Sequence, residues 1–343
     1  MKKLLNTIYI TNPQMYLSLD GENVVISLEK ETVKRVPLHN LESIVTFGYL
    51  GISPALMGKC AEYGIAVNFM TMHGRFLASV EGETSGNVHL RREQYRIADS
   101  EERSLKISRN IISAKIYNSK WILQRTLRDH EMSIDAENVR KVSEDLTNLS
   151  QYARKCGDTD TLRGIEGRAA ASYFSVFNQM ILRQKDDFAF NGRNRRPPLD
   201  NVNAMLSFTY ALLGNMCTSA LLSVGLDPYV GFFHTDRPGR RSLALDLMEE
   251  FRGVMADRFV IKMINKQMIS SKDFVVKENG AVIATDDGRK KILNEWQERK
   301  KEKITHPFLE EKMEWGLAPY SQALLLARYI RGDLDEYPPF MWK

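Results

Sequence analysis

Up to about residue 90, apolar and polar positions alternate along the chain. The runs "NTIYIT", "MYLSLD", "NVVISLE" and "SIVTFG" place Ile, Val, Tyr and Thr at a period of two, which predicts short strands. "DGEN" at 20–23 supplies hairpin chemistry between two of them. "SPALMGKCAEYG" interrupts the series as a helix, with Ser53 as its cap, Pro54 in its first turn and Gly64 at its end. "IAVNFM" and "GRFLASVE" then return to alternation. Residues 1–90 are thus expected to form a β-rich N-terminal domain.

From residue 91 the period lengthens. Ile107, Ile111, Ile112, Ala114 and Ile116 recur at helical spacing between Arg92 and Asp129, behind a start at Ser100 and Glu102. One long helix or two abutting ones is expected, with Lys106, Arg109, Lys115, Lys120, Arg125 and Arg128 along it. "ENVRKVSEDLTNLSQYARK" predicts a further helix, and "TDTLRGIEGRAAASYFSVFNQMIL" contains another, capped by Thr159 or Asp160. Helices are also expected over 200–224, 241–265, 289–303 and 319–331. "DFVVKENGAVIATDDG" departs from them, because Asn-Gly between two β-branched runs signals a hairpin. The fold class expected is α+β: the β-rich domain, then a larger α-helical C-terminal domain over 91–343 with a small β-hairpin insertion.

At 343 residues the chain is long for one domain, and 43% hydrophobic with 27% charged residues is ordinary for a folded protein. The three cysteines are dispersed and never paired as CxxC, so neither a disulfide framework nor a zinc ribbon is supported; a reducing cytoplasm fits. No uninterrupted apolar run approaches a membrane span, and the N-terminus reads as mature structure. The net charge of +5 is unevenly spread: residues 1–90 carry 7 basic against 8 acidic side chains, the remainder 41 against 35. The basic surplus lies where a polyanion could be held.

Candidate chemistry concentrates in "GFFHTDRPGRRSLALDLMEEFR" at 231–252. Asp246 and Glu249 share a helix face one turn apart, a spacing that can direct two oxygen ligands at one divalent cation. Apolar neighbours are expected to bury Asp246 in part, so that it needs a partner. His234 stands where an apolar segment meets a Pro-Gly turn, and Glu166 lies in "LRGIEGRAAASYF" between Gly164 and Gly167. Each also has a plain reading: a solvated acidic stripe, a hydrogen-bonded histidine, a tight helix crossing. Spacing alone leaves both open. Arg193, Arg195 and Arg196 form one basic cluster, and Arg237, Arg240 and Arg241 a second; the arginine fork suits phosphate. No P-loop, GxGxxG, GxSxG or HExxH is present, and the other histidines, His39, His73, His89, His130 and His306, are scattered and read as structural.

Taken in order, "GIEGRAAASYF", "RNRRPPLDNVNAMLSFTYALL", "GFFHTDRPGRRSLALDLMEEFR", the late hairpin and "SQALLLARYIRGD" resemble the CRISPR-associated integrase family, the adaptation nuclease Cas-one, over nearly the whole chain. The ending "YPPFMWK" is similar to a type I-C-like branch. The resemblance implies metal ligation by Glu166, His234 and Glu249, with Asp246 in a supporting catalytic role. Glu250 is expected to be a surface charge. It further implies Mg²⁺ or Mn²⁺ as cofactor, a homodimer formed through the N-terminal domain, and a Cas-two partner. The implied activity is transesterification, joining protospacer DNA 3′-hydroxyls to the CRISPR repeat in spacer acquisition. A metal-dependent repair nuclease and a non-catalytic DNA-binding scaffold are the competing classes.

Overall fold

The computed structural model describes residues 6–48, 51–71, 76–80, 88–194 and 196–343. His73 and Arg195 lie outside them. The alternating N-terminal pattern folds into two sheets. In the first, β1 (Asn6–Ile10) pairs in parallel with β5 (Leu41–Phe47), β5 pairs in parallel with β6 (Ala66–Met70), and β7 (Phe76–Val80) closes the edge antiparallel to β6. The second is an antiparallel meander of β2 (Met15–Asp20), β3 (Asn23–Leu28) and β4 (Glu31–Pro37). Asp20 faces Asn23 across the tight turn, where Gly21 takes a φ of 55° that glycine adopts without strain. The strand β4 has no counterpart in the expected pattern, because "ETVKRVP" is charged and almost wholly exposed.

Helix α1 (Pro54–Glu62) has the anticipated punctuation: the Ser53 hydroxyl accepts from Leu56 N–H, and Gly64 takes a φ of 67°. Leu17, Ile26, Leu38, Ile44, Leu56 and Val67 join both sheets and α1 in one small core. The strand β5 is buried on both faces. Ile44 enters this small core, while Val45 and Phe47 enter the larger core of the helices, where the Phe47 ring meets Phe208 at 6.0 Å. That double burial is why "SIVTF" reads as a continuous apolar run.

The helical part begins with α2 (Val88–Ala98) and α3 (Glu101–His130), two abutting helices, with Ser100 capping the second. Next come α4 (Ala136–Lys155) and α5 (Thr159–Ser175). Asp158 caps α5, correcting the expected Thr159 or Asp160 by one or two residues; its carboxylate accepts from both Thr161 N–H and the Thr161 hydroxyl. Helix α6 (Asn201–Ser223) is the one helix among the described residues long and apolar enough to cross a membrane, but it packs at the centre of the helical core against α7 and α10.

The expected helix over 241–265 is not continuous. It consists of α7 (Ser242–Glu249), a π-helical turn (Arg252–Asp257) and α8 (Arg258–Asn265). After α8 come the hairpin β8 (Phe274–Val276) and β9 (Val282–Ala284), α9 (Asp286–Lys301), a short ribbon of β10 (Lys303–Thr305) and β11 (Lys312–Glu314), and α10 (Ala318–Ile330). The β10–β11 ribbon was not anticipated, each strand being only three residues long. Lys300 on α9 ties the two parts together, its ammonium bonding Thr7 Oγ1 at 3.1 Å and pairing with Glu42 at 3.6 Å.

Candidate functional site

Helix α7 presents Asp246 and Glu249 on one face, as their spacing requires. Asp246 is fully buried and is saturated with donors. Its Oδ2 accepts the backbone N–H groups of Phe232 at 2.7 Å and Phe233 at 3.0 Å; its Oδ1 accepts His234 N–H at 2.9 Å and lies 2.6 Å from His234 Nδ1. The carboxylate therefore anchors the loop that carries the histidine. A Cβ at Gly231 would lie 2.7 Å from Ser242 Cβ and 3.0 Å from Asp246 Oδ2, so this close approach requires glycine. Gln94 of α2 grips the same loop further back through Asp227 and Val230. Because a carboxylate only accepts, Nδ1 donates to it, and in the neutral form of His234 the lone pair then lies on Nε2. That Nε2 lies 4.0 Å from Glu249 Oε1.

Glu249 is almost fully buried. Burial by itself would raise its pKa, but Arg252, Lys115 and His234 outweigh it and hold the carboxyl at about 2. Arg252, the first residue of the π-helical turn, donates from Nε to Glu249 Oε1 at 2.8 Å. Lys115, on the inner face of α3, lies 2.6 Å from Glu249 Oε2 and bonds Glu166 Oε1 from α5. The contact with Glu249 is an ion pair off the angle of a hydrogen bond, so Oε2 is buried without a hydrogen-bonded partner. Burial works against the Lys115 charge, yet the two glutamates keep its pKa above the ordinary lysine value.

Glu166, His234 and Glu249, distant in sequence, thus come to one place. As they stand, no three His, Cys, Asp or Glu side chains among the described residues close on a single point, because the Lys115 ammonium is wedged between the two glutamates. The donor set nevertheless fits a divalent cation. Two carboxylate oxygens already converge on a positive charge, the buried Oε2 lacks a hydrogen bond, and the histidine has its free nitrogen aimed inward by a buried carboxylate.

The tight helix crossing considered for Gly164 and Gly167 is absent: a Cβ at either would meet nothing within 4 Å, and both glycines are exposed. Instead the alanines that follow them border an open cleft of about 1130 Å³ with Lys115, Glu166, His234, Glu249 and Arg252 in its lining. Arg193 and Arg240 line it too. Arg193 is braced by Asn203 Oδ1 at 2.7 Å and Ser207 Oγ at 3.1 Å. The guanidinium groups of Arg193 and Arg252 stack on the Tyr210 ring at 5.4 and 4.7 Å, and the Tyr210 hydroxyl donates to buried Asp257 at 2.6 Å. The remaining arginines divide. Arg196 and Arg237 are exposed beyond the cleft lining, and Arg241 turns to α6, within 3.4 Å of Asn215 and Thr218.

One expectation is reversed. Glu250 is not a surface charge: it is fully buried and accepts from Gln322 Nε2 at 2.9 Å, Phe340 N–H at 2.6 Å and the Tyr337 hydroxyl. Glu250 keeps helical dihedrals, so it lies about 100° round the helix from Glu249 and faces the C-terminal segment. Burial pushes its pKa up to about 7. Sequence reasoning also passed over Lys115, Arg252 and Tyr210. Lys115 had a signal, because it stands amid the buried stripe of Ile111, Ile112 and Ile122, where an unpaired lysine is costly.

The family model described as CRISPR associated protein Cas1 matches residues 8–298. The chain belongs to the Cas1 family. It is 49% identical to the CRISPR-associated endonuclease Cas1 1 of Chlorobaculum tepidum and 50% identical to the CRISPR-associated endonuclease Cas1 2 of Rhodospirillum rubrum, each match covering all of both chains. Among solved structures, a casposase bound to its integration product superposes with a TM-score of 0.84 at 24% identity, over 99% of this chain and 95% of that one. A CAS1 protein from Thermotoga maritima gives 0.81 at 20% identity, over 95% and 97%. At these identities the superpositions establish the Cas1 fold, a strand-built N-terminal part followed by a helical one.

Proposed function

We propose that this Cas1-family chain is a metal-dependent DNA integrase and endonuclease of CRISPR spacer acquisition. The observation that carries the reading is the gathering of Glu166 and Glu249 around the Lys115 ammonium in an arginine-lined cleft, with His234 Nε2 4.0 Å from Glu249 Oε1 and the other histidine nitrogen held by buried Asp246. These three residues would hold Mg²⁺ or Mn²⁺, and a cation bound there supplies Lewis acidity toward a phosphoryl oxygen and acidifies a bound hydroxyl. Asp246 keeps His234 in the tautomer whose Nε2 accepts, and Arg252 keeps Glu249 ionised. Arg193 and Arg240 supply positive charge along the cleft, where phosphodiesters of DNA would lie. In the joining step a DNA 3′-hydroxyl attacks a phosphodiester of the CRISPR repeat. One P–O bond forms as another breaks and the displaced 3′-oxygen takes up a proton; hydrolysis is the same displacement with water as nucleophile.

The likeness to a Cas6-RT-Cas1–Cas2 complex, with a TM-score of 0.83 at 21% identity over the whole of this chain and 36% of that one, fits a partnership with Cas2. We take the β-rich N-terminal part as the surface for that partnership and for homodimerisation. A strand-transfer assay with a protospacer duplex and a repeat-containing target, with and without Cas2, tests the function. The wild type should form joined product with Mg²⁺ or Mn²⁺ and lose it with EDTA, and Glu166→Ala, His234→Ala and Glu249→Ala should each abolish it. Cleavage without joined product would identify a repair-type nuclease; activity surviving all three substitutions would remove the site altogether.

A further inference from the structure

Among the groups around Glu249, two are cations, and they are held differently. Arg252 is fixed from both sides, by its Nε bond to Oε1 and by stacking on Tyr210. Lys115 reaches Oε2 and Glu166 at the end of a flexible four-carbon stem, its side chain 17% exposed and facing the cleft. With both in place, two carboxylates are balanced by two positive charges. A divalent cation bonded to the same oxygens would sit about 2.1 Å from them and within a few ångströms of Nζ, leaving a half-buried pocket with a surplus of two charges. Such repulsion is relieved by moving whichever cation moves most easily, and that is Lys115.

We propose that Lys115 is an exchangeable counter-cation of the site. In the metal-free protein its ammonium holds Glu166 and Glu249 together; when a divalent cation binds, it is released into the cleft and pairs with DNA phosphate. The inference rests on the metal-site assignment above. It makes Lys115 a positioning residue that links metal loading to DNA binding: metal binding frees a phosphate-pairing charge, and phosphate stabilises the freed position, so each favours the other.

Calorimetric titration of Mn²⁺ into the full-length protein without DNA tests the exchange. Lys115→Gln removes the competing charge, and its Mn²⁺ affinity should rise about tenfold. Lys115→Arg keeps the charge and adds a planar fork that fits carboxylates better, so it should bind Mn²⁺ no more tightly than wild type. A duplex-binding titration should show Mn²⁺ strengthening DNA affinity several-fold less in Lys115→Gln than in wild type. Unchanged or weaker Mn²⁺ binding by Lys115→Gln overturns the exchange. If leaving Glu249 without its lysine unfolds that variant, Lys115→Arg decides, and tighter Mn²⁺ binding by it overturns the proposal. Glu166→Gln separates the two levels of inference: if it leaves Mn²⁺ binding unaltered in wild type, the metal assignment fails, whereas if it weakens binding while Lys115→Gln does not strengthen it, only the exchange fails.

Discussion

Asp246 and Glu166 are both carboxylates of the site, yet their surroundings assign them different costs. Asp246 accepts four donors with two oxygens and has no exposed surface. Asn in its place offers one acceptor oxygen and turns an NH₂ group toward two donors that are themselves buried. Asp246→Asn is therefore expected to lose about 2–4 kcal/mol of folding stability, the penalty of two buried polar groups left without partners, and to lose activity as well. Urea unfolding measures the first, and a loss under 1 kcal/mol would contradict this account of the loop. Glu166 is a quarter exposed and pairs with Lys115. Glu166→Gln should abolish joining and leave stability within about 1 kcal/mol of wild type, since the amide oxygen can still accept from Lys115 and the lysine keeps Glu249 as its counter-charge. A variant that loses activity only because it unfolds would show both changes together, so the two measurements separate chemistry from scaffolding.

At the scale of elements, the short turn out of α7 does two things at once. The π-helical turn that follows delivers Arg252 to Glu249 and Asp257 to Tyr210, while Glu250, which with its neighbour Phe251 precedes that turn, is held under the C-terminal segment. Such π turns are common at functional positions because an extra residue redirects the side chains that follow. Glu250 and His306 both lie beneath Phe340, and their titrations oppose each other. Burial raises Glu250 from 4.5 to about 7, so between those values the folded state holds a proton that the unfolded chain has shed, and stability falls as pH rises. Burial lowers His306 from 6.5 to about 4, so over that window the unfolded chain holds the extra proton, and stability rises with pH. The windows overlap between about pH 4.5 and 6.5, where the two slopes nearly cancel. Glu250→Gln cannot titrate there and should unmask the histidine: its stability, followed by urea unfolding, should climb with pH relative to wild type across that window. Parallel profiles would sink the assignment.

The same turn explains what the sequence made legible. Caps at Ser53 and Ser100, the Asn-Gly hairpin and the α7 spacing rest on local rules, and they stand in the fold as expected. The exposed β4, the three-residue ribbon and the π turn obey no local pattern, since tertiary contacts decide them. For the same reason, Asp246 was legible as buried and needing a partner, whereas Lys115 and Arg252 emerge only once α3, α5 and α7 are packed together.

For the whole molecule, the basic surplus beyond residue 90 becomes informative once each arginine has a direction. Arg240 lines the cleft and Arg237 is exposed on the same loop, whereas Arg241 turns into the helical core beside Asn215 and Thr218 on α6. Neighbours in sequence, they should act on different properties. Binding of duplex DNA is expected to weaken steeply as salt rises, because each phosphate neutralised releases counterions and the slope of log affinity against log salt is about 0.9 per contact. Arg240→Ala and Arg237→Ala should each flatten that slope by about one contact while leaving stability nearly unchanged. Arg241→Ala should leave the slope as it is and lower stability instead, by about 1 kcal/mol for lost part-buried hydrogen bonds. Fluorescence anisotropy over a salt series, paired with urea unfolding, measures both quantities for all three variants. If Arg241 altered the slope as Arg240 does, the DNA would have to pass on the α6 side of the loop, and the cleft that contains Glu166, His234 and Glu249 would not be where it binds.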